Sequence, residues 1–338
     1  MRVFAAWFCL SFTAAALAQQ DRVPPPKPLP SGDGAVLLKD LRALQERFEV
    51  EQLVADYRSR CGDRAPDAAF EALIARAASD DEPDWRYTQS VVDRAAHRGP
   101  VDPLMYWFAA AFETAPAARR GLVDKAIAGL RDANAHPLAL LVVHLRARRL
   151  LGTGGGDPYL EGLEDAIVAC AGDERMAGVG QWHLLNDALS LRTDVDSASR
   201  PLIDRMLAAD VKDRYAALTL DGMCHVSEAW AARSSRAASR VTAKGWQGFQ
   251  SHLEAAAESL TAAYELHPEL PEATGQMISV CGGLGQIRHI RGWLDASVAA
   301  CFDYAPAYRA ALHFYSVRWG GSAKLQLGLG EECAATGR

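Results

Sequence analysis

Asp221, His225 and Glu228 stand four and three positions apart, a spacing that puts all three on one face of a helix. Two carboxylates flanking an imidazole can hold a divalent cation or tune the imidazole for proton transfer. A metal site also needs a ligand from a second element, and the sequence does not single one out. Such triplets arise readily in a chain with 9 histidines and 42 acidic residues, so the competing reading is a solvated helix face. His183 and Asp187, also four apart, offer the same chemistry with fewer groups.

Two glycine-rich stretches invite a phosphate-binding reading and fail it. Gly152-Thr-Gly-Gly-Gly-Asp157 follows no strand and lacks the closing Gly-Lys-Ser/Thr that would reach a terminal phosphate. Gly282-Gly-Leu-Gly285 also lacks its strand. There is no Gly-x-Ser-x-Gly elbow and no His-Glu-x-x-His. The sequence therefore assigns no catalytic residue and implies no cofactor. The sharpest local signal is Arg318-Trp319-Gly320-Gly321-Ser322. Adjacent glycines permit a tight turn and Ser322 can cap the helix that follows. The structural expectation packs Trp319 on the preceding hairpin and pairs Arg318 with an acid. The functional one makes these five residues, with Trp246, Tyr304 and Tyr308, a ligand-facing lip. Trp85, Trp107, Trp182, Trp230, Trp246, Trp293 and Trp319 sit in apolar-periodic runs, which reads as core; exposed ones would be able to stack on sugar rings.

The elements that position these residues are helices. From Trp246, apolar residues recur at Phe249, Leu253, Ala256, Leu260 and Tyr264, the period of one buried helical face. The run stops at His267-Pro268, since proline lacks the amide hydrogen and clashes with a continuing helix. Pro271 opens the next helix, which ends at Gly282-Gly283. Ile287, Ile290, Leu294 and Val298 mark a third, and Tyr308, Leu312 and Tyr315 a fourth. Upstream, Asp102-Pro103, Ala115-Pro116, His136-Pro137, Asp157-Pro158 and Arg200-Pro201 punctuate helical segments in the same way. One long helix, or two joined near Phe48, covers Leu37 to Tyr57. No period-two run appears, so the expected fold class is all-α.

Leu266-His-Pro-Glu-Leu-Pro-Glu-Ala273 is echoed in Phe302-Asp-Tyr-Ala-Pro-Ala-Tyr308 some 35 to 38 positions later, near the roughly 34-residue period of tetratricopeptide helical hairpins. Ala262 to Ala273 resembles the second helix and turn of such a repeat. Residues 227–338 resemble a bacterial family of unknown function built from these helices. The marks are Ala229-Trp230-Ala-Ala-Arg233, Gly245-Trp246, Leu266-His-Pro268, Tyr304, Tyr308 and Arg318-Trp-Gly-Gly-Ser322; Val317 stands where that family usually has proline. The resemblance implies a tetratricopeptide-like α-solenoid and carries no catalytic residues.

At the N-terminus, Arg2, an apolar run from Val3 to Leu17 and Ala16-Leu-Ala18 read as a signal peptide over 1–18, too short for a membrane span of about 20 residues. Residues 19–33 hold Pro24-Pro-Pro26, Pro28 and Pro30 and read as a spacer. A degenerate hairpin array is expected over 34–200 and the tetratricopeptide-like domain over 201–338. The net charge of −6 lacks the basic footprint of a nucleic-acid binder. Outside Cys9, six cysteines remain; in an oxidising compartment, Cys281 and Cys301, flanking one hairpin, are the best disulfide candidates. The expectation that follows is an exported, non-enzymatic helical-repeat protein, periplasmic or secreted, with no integral span after cleavage. It would bind a protein or peptide partner in a concave groove. The alternative is an envelope enzyme or glycan binder using the Asp221, His225 and Glu228 cluster.

Overall fold

The computed structural model describes residues 35–78, 85–98, 101–151, 158–190 and 195–336. The expected signal peptide, the proline-rich spacer and the Gly152–Asp157 stretch lie outside the described residues. Among them are fifteen α-helices and no strand, so the protein is all-α. In chain order these are α1 (Leu38–Cys61), α2 (Ala68–Ala78), α3 (Trp85–Arg98), α4 (Pro103–Phe112), α5 (Pro116–Asp132), α6 (Pro137–Leu151), α7 (Leu160–Ala171) and α8 (Val179–Ser190). Then come α9 (Arg200–Leu207), α10 (Tyr215–Arg233), α11 (Ala243–Leu266), α12 (Pro271–Gly283), α13 (Ile287–Ala300), α14 (Ala305–Phe314) and α15 (Ala323–Ala335). No helix among the described residues is long and apolar enough to cross a membrane.

Proline sits in the first turn of α4, α5, α12 and α14, where its missing donor is one the helix would leave unpaired anyway. Asp102 caps α4 by accepting from Leu104 N–H at 3.0 Å, and Thr242 caps α11 through Gly245 N–H, also at 3.0 Å. Phe48 falls inside α1, so the alternative of two joined helices resolves to one.

The chain forms two compact units. One comprises Arg42–Leu191 and Ala208–Asp213, the other Met1–Leu41, Arg192–Leu207 and Arg214–Arg338. The first described residues go with the C-terminal unit because Phe302 N–H donates to Val36 O at 2.8 Å and Leu38 N–H to Asp303 Oδ1 at 2.6 Å.

In the N-terminal unit the core runs through edge-on rings, Tyr57 on Phe70 at 4.8 Å and Phe70 on Phe108 at 5.7 Å. Leu130, Leu138, Leu141, Leu163, Ile167, Leu184 and Leu185 are fully buried beside them, each stabilising the fold by roughly 1.5–3 kcal/mol relative to exposure. Arg60 is enclosed between Asp56 and Asp102, which neutralises a cation the core would otherwise reject.

In the C-terminal unit α10 lies along α11, α11 against α12, and α12 against both α13 and α14. Trp293 and Tyr264 meet edge-on at 5.5 Å at the centre, with Leu253, Leu260, Met277, Ile278 and Ile290 buried around them. Gly222 fixes the α10–α11 distance, since a Cβ there would overlap the Leu260 side chain. That close approach brings the polar faces of the two helices together.

Candidate functional site

Asp221, His225 and Glu228 do share a face of α10, and the facing helix supplies the fourth member, His252 of α11. His225 Nδ1 lies 3.1 Å from Glu228 Oε2 and 3.2 Å from His252 Nδ1, and His252 Nδ1 lies 3.3 Å from the same Glu228 oxygen. Arg200 of α9 closes the cluster from the side, with Nη2 3.2 Å from Glu228 Oε2 and 3.5 Å from His225 Nδ1. Its Nη1 donates to Asp221, which also accepts from Ser259 Oγ. Asp221 is therefore turned away from the cluster's centre; its Oδ1 comes only to 3.8 Å of His225 Nε2. The expected trio becomes His225, Glu228 and His252, with Asp221 behind. These side chains retain 22%, 19% and 37% of their exposure, so the cluster opens to solvent.

His252 was not singled out by sequence spacing, because it is 27 residues from His225. A signal did exist. His225 is eight residues before the end of α10 at Arg233, and His252 is nine after the start of α11 at Ala243. An antiparallel hairpin sets such positions level.

His183 and Asp187 also acquire a partner from afar, and theirs is buried. His183 Nε2 lies 3.2 Å from Glu49 Oε2 and its Nδ1 3.1 Å from Asp187 Oδ2, with Gln45 Nε2 at 3.0 Å from Nδ1. Arg146 reaches Glu49 at 2.9 Å. Burial by itself would depress the imidazole, but Asp187 and then Glu49 outweigh it and hold its pKa at about 10. Burial likewise pushes Glu49 upward, and His183 and Arg146 pull it below its ordinary value. His183 is thus a caged imidazolium, a structural ion rather than an exchangeable base.

The other expected binding residues separate into three places. Trp319 packs edge-on against Trp230 at 5.4 Å and Phe314 at 5.5 Å. Arg233 places its guanidinium 5.7, 5.4 and 5.8 Å from the rings of Trp230, Trp246 and Trp319. This one cation ties three indoles together, which favours packing over stacking on sugar. Arg318 rests 5.8 Å from the Trp319 ring and makes no ion pair with an acid among the described residues, correcting that expectation. Gly320 takes φ +89°, and a Cβ on Gly321 would overlap the Tyr315 backbone carbonyl. Ser322 Oγ then caps α15 by accepting from Leu325 N–H at 3.2 Å. The Arg318–Ser322 element is a corner of the fold, and Gly321→Ala is expected to cost about 2–3 kcal/mol, read as a lowered urea midpoint.

Tyr304 lies apart, its ring against Gly275 of α12; burial, reinforced by Glu272, pushes its phenol far up and keeps it neutral. Of the residues of the expected lip, Tyr308 lines a cleft. This cleft, of about 740 Å³, runs between α13, α14 and α15, with Leu294, Val298, Phe302, Tyr308, Leu312 and Leu329 on its apolar floor and Arg291, Asp303 and Glu332 at its edge. Tyr308 donates its hydroxyl to Phe302 O at 2.9 Å, which fixes the ring in the wall.

Cys281 and Cys301 are correspondingly not a disulfide here: all six described cysteines are thiols. Cys301 Sγ donates toward Asp303 Oδ1 at 3.4 Å. Burial pushes both thiols up to about 12, so they pack as small apolar groups.

No protein-family model, no curated protein and no solved structure matches this chain.

Proposed function

We propose that the chain is an exported, non-enzymatic helical-repeat protein that takes a peptide segment of a partner protein into the α13–α14–α15 cleft. The observation that carries this reading is the cleft itself. Its volume of about 740 Å³ falls inside the roughly 300–1,000 Å³ of ligand sites. An apolar floor with a charged edge suits a short amphipathic segment, whose apolar side chains fill the floor while its polar ones meet the rim. Stacking of α11 on α12, of α12 on α13 and of α12 on α14 supports a tetratricopeptide-like arrangement within this unit, and the resemblance over residues 227–338 points the same way. Such repeats act as binding surfaces, an inference by analogy of fold.

One wall of the cleft is lightly held. α15 carries Gly328 and Gly330 in its interior, each costing about 0.5–1 kcal/mol of helix stability. It is anchored by buried Leu329, by Gln326 donating to Leu312 O at 3.0 Å, and by Arg291 on Glu332 at 2.8 Å. A wall so anchored can shift to fit a guest.

The test is a photoreactive side chain at Tyr308 in cells, with capture compared in the presence and absence of Leu312→Glu. Leu312 is 39% exposed, so the charge should leave stability within about 0.5 kcal/mol while abolishing capture. One dominant partner that disappears in Leu312→Glu supports the reading. Capture that is indiscriminate, or unchanged by the charge, overturns it. Export is part of the same proposal and is checked by the mature N-terminus, expected at Gln19.

A further inference from the structure

We propose that His225, Glu228 and His252 form a binding site for a divalent first-row transition metal, zinc foremost, independent of the cleft. Three ligand atoms of the kind zinc takes, two imidazole nitrogens and a carboxylate oxygen, form a near-equilateral triangle with edges of 3.1, 3.2 and 3.3 Å. Zinc bonds of about 2.0–2.1 Å at tetrahedral angles put ligand atoms roughly 3.3–3.4 Å apart, so the triangle is already close to one face of such a polyhedron. The metal needs only to sit above it, with little rearrangement of either helix.

Two further features belong with a metal site. The ligands come from a helix pair held at fixed distance by the Gly222–Leu260 contact, so their spacing does not depend on a loop. Behind His225 stands Asp221, its Oδ1 3.8 Å from Nε2, a carboxylate that a small shift of the ring would bring into the position from which such groups orient ligating imidazoles. The partial exposure of all three side chains leaves a fourth position for water, the open geometry that distinguishes exchangeable or reactive zinc from closed structural sites.

Electrostatics gives the site its demand for a cation. Two imidazole Nδ1 atoms and a carboxylate oxygen converge on one point, and Arg200 Nη2 answers the carboxylate from the side, 3.2 Å from Glu228 Oε2. A bound metal would displace that nitrogen, while Nη1 keeps Arg200 on Asp221. Arg200 then acts as a placeholder that competes with the ion. An N₂O ligand set of this softness selects zinc, copper or nickel over magnesium or calcium.

The experiment uses the full chain, stripped with chelator and titrated with zinc against a chromophoric competitor, with cobalt as an optical probe of tetrahedral geometry. One zinc per chain is expected, with a tetrahedral cobalt spectrum and a raised melting temperature. His252→Ala and Glu228→Gln are each expected to weaken binding by at least about 100-fold, beyond the roughly 10- to 100-fold of an outer partner. Because His252 is at the surface, thermal unfolding without metal should match wild type, separating lost ligation from lost fold. Arg200→Met should tighten zinc several-fold. Wild type that binds no zinc, or His252→Ala that binds it unchanged, overturns the site. Weaker binding in a folded Arg200→Met overturns the displacement of the guanidinium.

Discussion

His183→Ala is expected to destabilise the N-terminal unit by about 3–5 kcal/mol, the range for breaking a buried ion pair by removing one partner. The imidazolium lies between Glu49 and Asp187, 3.2 and 3.1 Å away, and is 2% exposed. Without it, two carboxylates share a dry site with Arg146, and more remotely Arg149, on Glu49 to offset them. The same geometry dictates a pH dependence. His183 titrates near 6.5 in the unfolded chain and near 10 in the fold, so its contribution is whole below about pH 6.5 and is lost as pH rises through 10. Across that interval the folded state holds one more proton, and unfolding free energy should fall by about 1.4 kcal/mol per pH unit from this group. Glu49 works in the opposite sense: its lowered value gives stability above its unfolded value that disappears in acid. Urea unfolding followed by circular dichroism at pH 6, 8 and 9.5 checks the first statement, and the same measurement extended below pH 4 checks the second. The alkaline slope should vanish in His183→Ala; a slope that persists there would assign it to another group.

Trp319→Ala is expected to cost about 2–4 kcal/mol, somewhat below a fully buried tryptophan because the ring is half-exposed. The change removes the edge-on contacts to Trp230 and Phe314 and one of the three rings around Arg233. Hydrogen exchange should rise at the C-terminal turns of α10 and α14, which this indole joins. The prediction discriminates between the two roles available to the Arg318–Ser322 element. A binding lip would lose partner capture in Trp319→Ala with an unchanged unfolding curve; a structural corner loses stability first. Since Trp230, Trp246 and Trp319 share one guanidinium, double substitutions among them should be less than additive.

Much of the helical framework was legible in the sequence because its signals are local. Pro103, Pro116, Pro137 and Pro271 each mark a helix start through the fixed φ of their own ring, and Asp102 caps where its spacing to Leu104 says it will. The period from Trp246 to Tyr264 placed the buried face of α11. Even the Gly320–Ser322 turn could be read, because a left-handed residue followed by a capping serine is a property of adjacent positions.

What the sequence alone determined, then, is the all-α class, several helix starts and inward faces, and a tight turn at Gly320–Ser322, all consequences of interactions spanning a few residues. Only the tertiary structure decided who meets whom. Asp221 went to Arg200 and Ser259, and His252, which the spacing had not singled out, took the place expected of Asp221 beside His225 and Glu228. Glu49 crossed to His183 from more than a hundred residues away. Tyr304 turned to pack while Tyr308 lined the cleft. These outcomes depend on how closely two helices approach, which Gly222 against Leu260 sets. They also depend on which of several carboxylates offers a buried cation the better geometry. Both are distances in space, and no spacing along the chain encodes them.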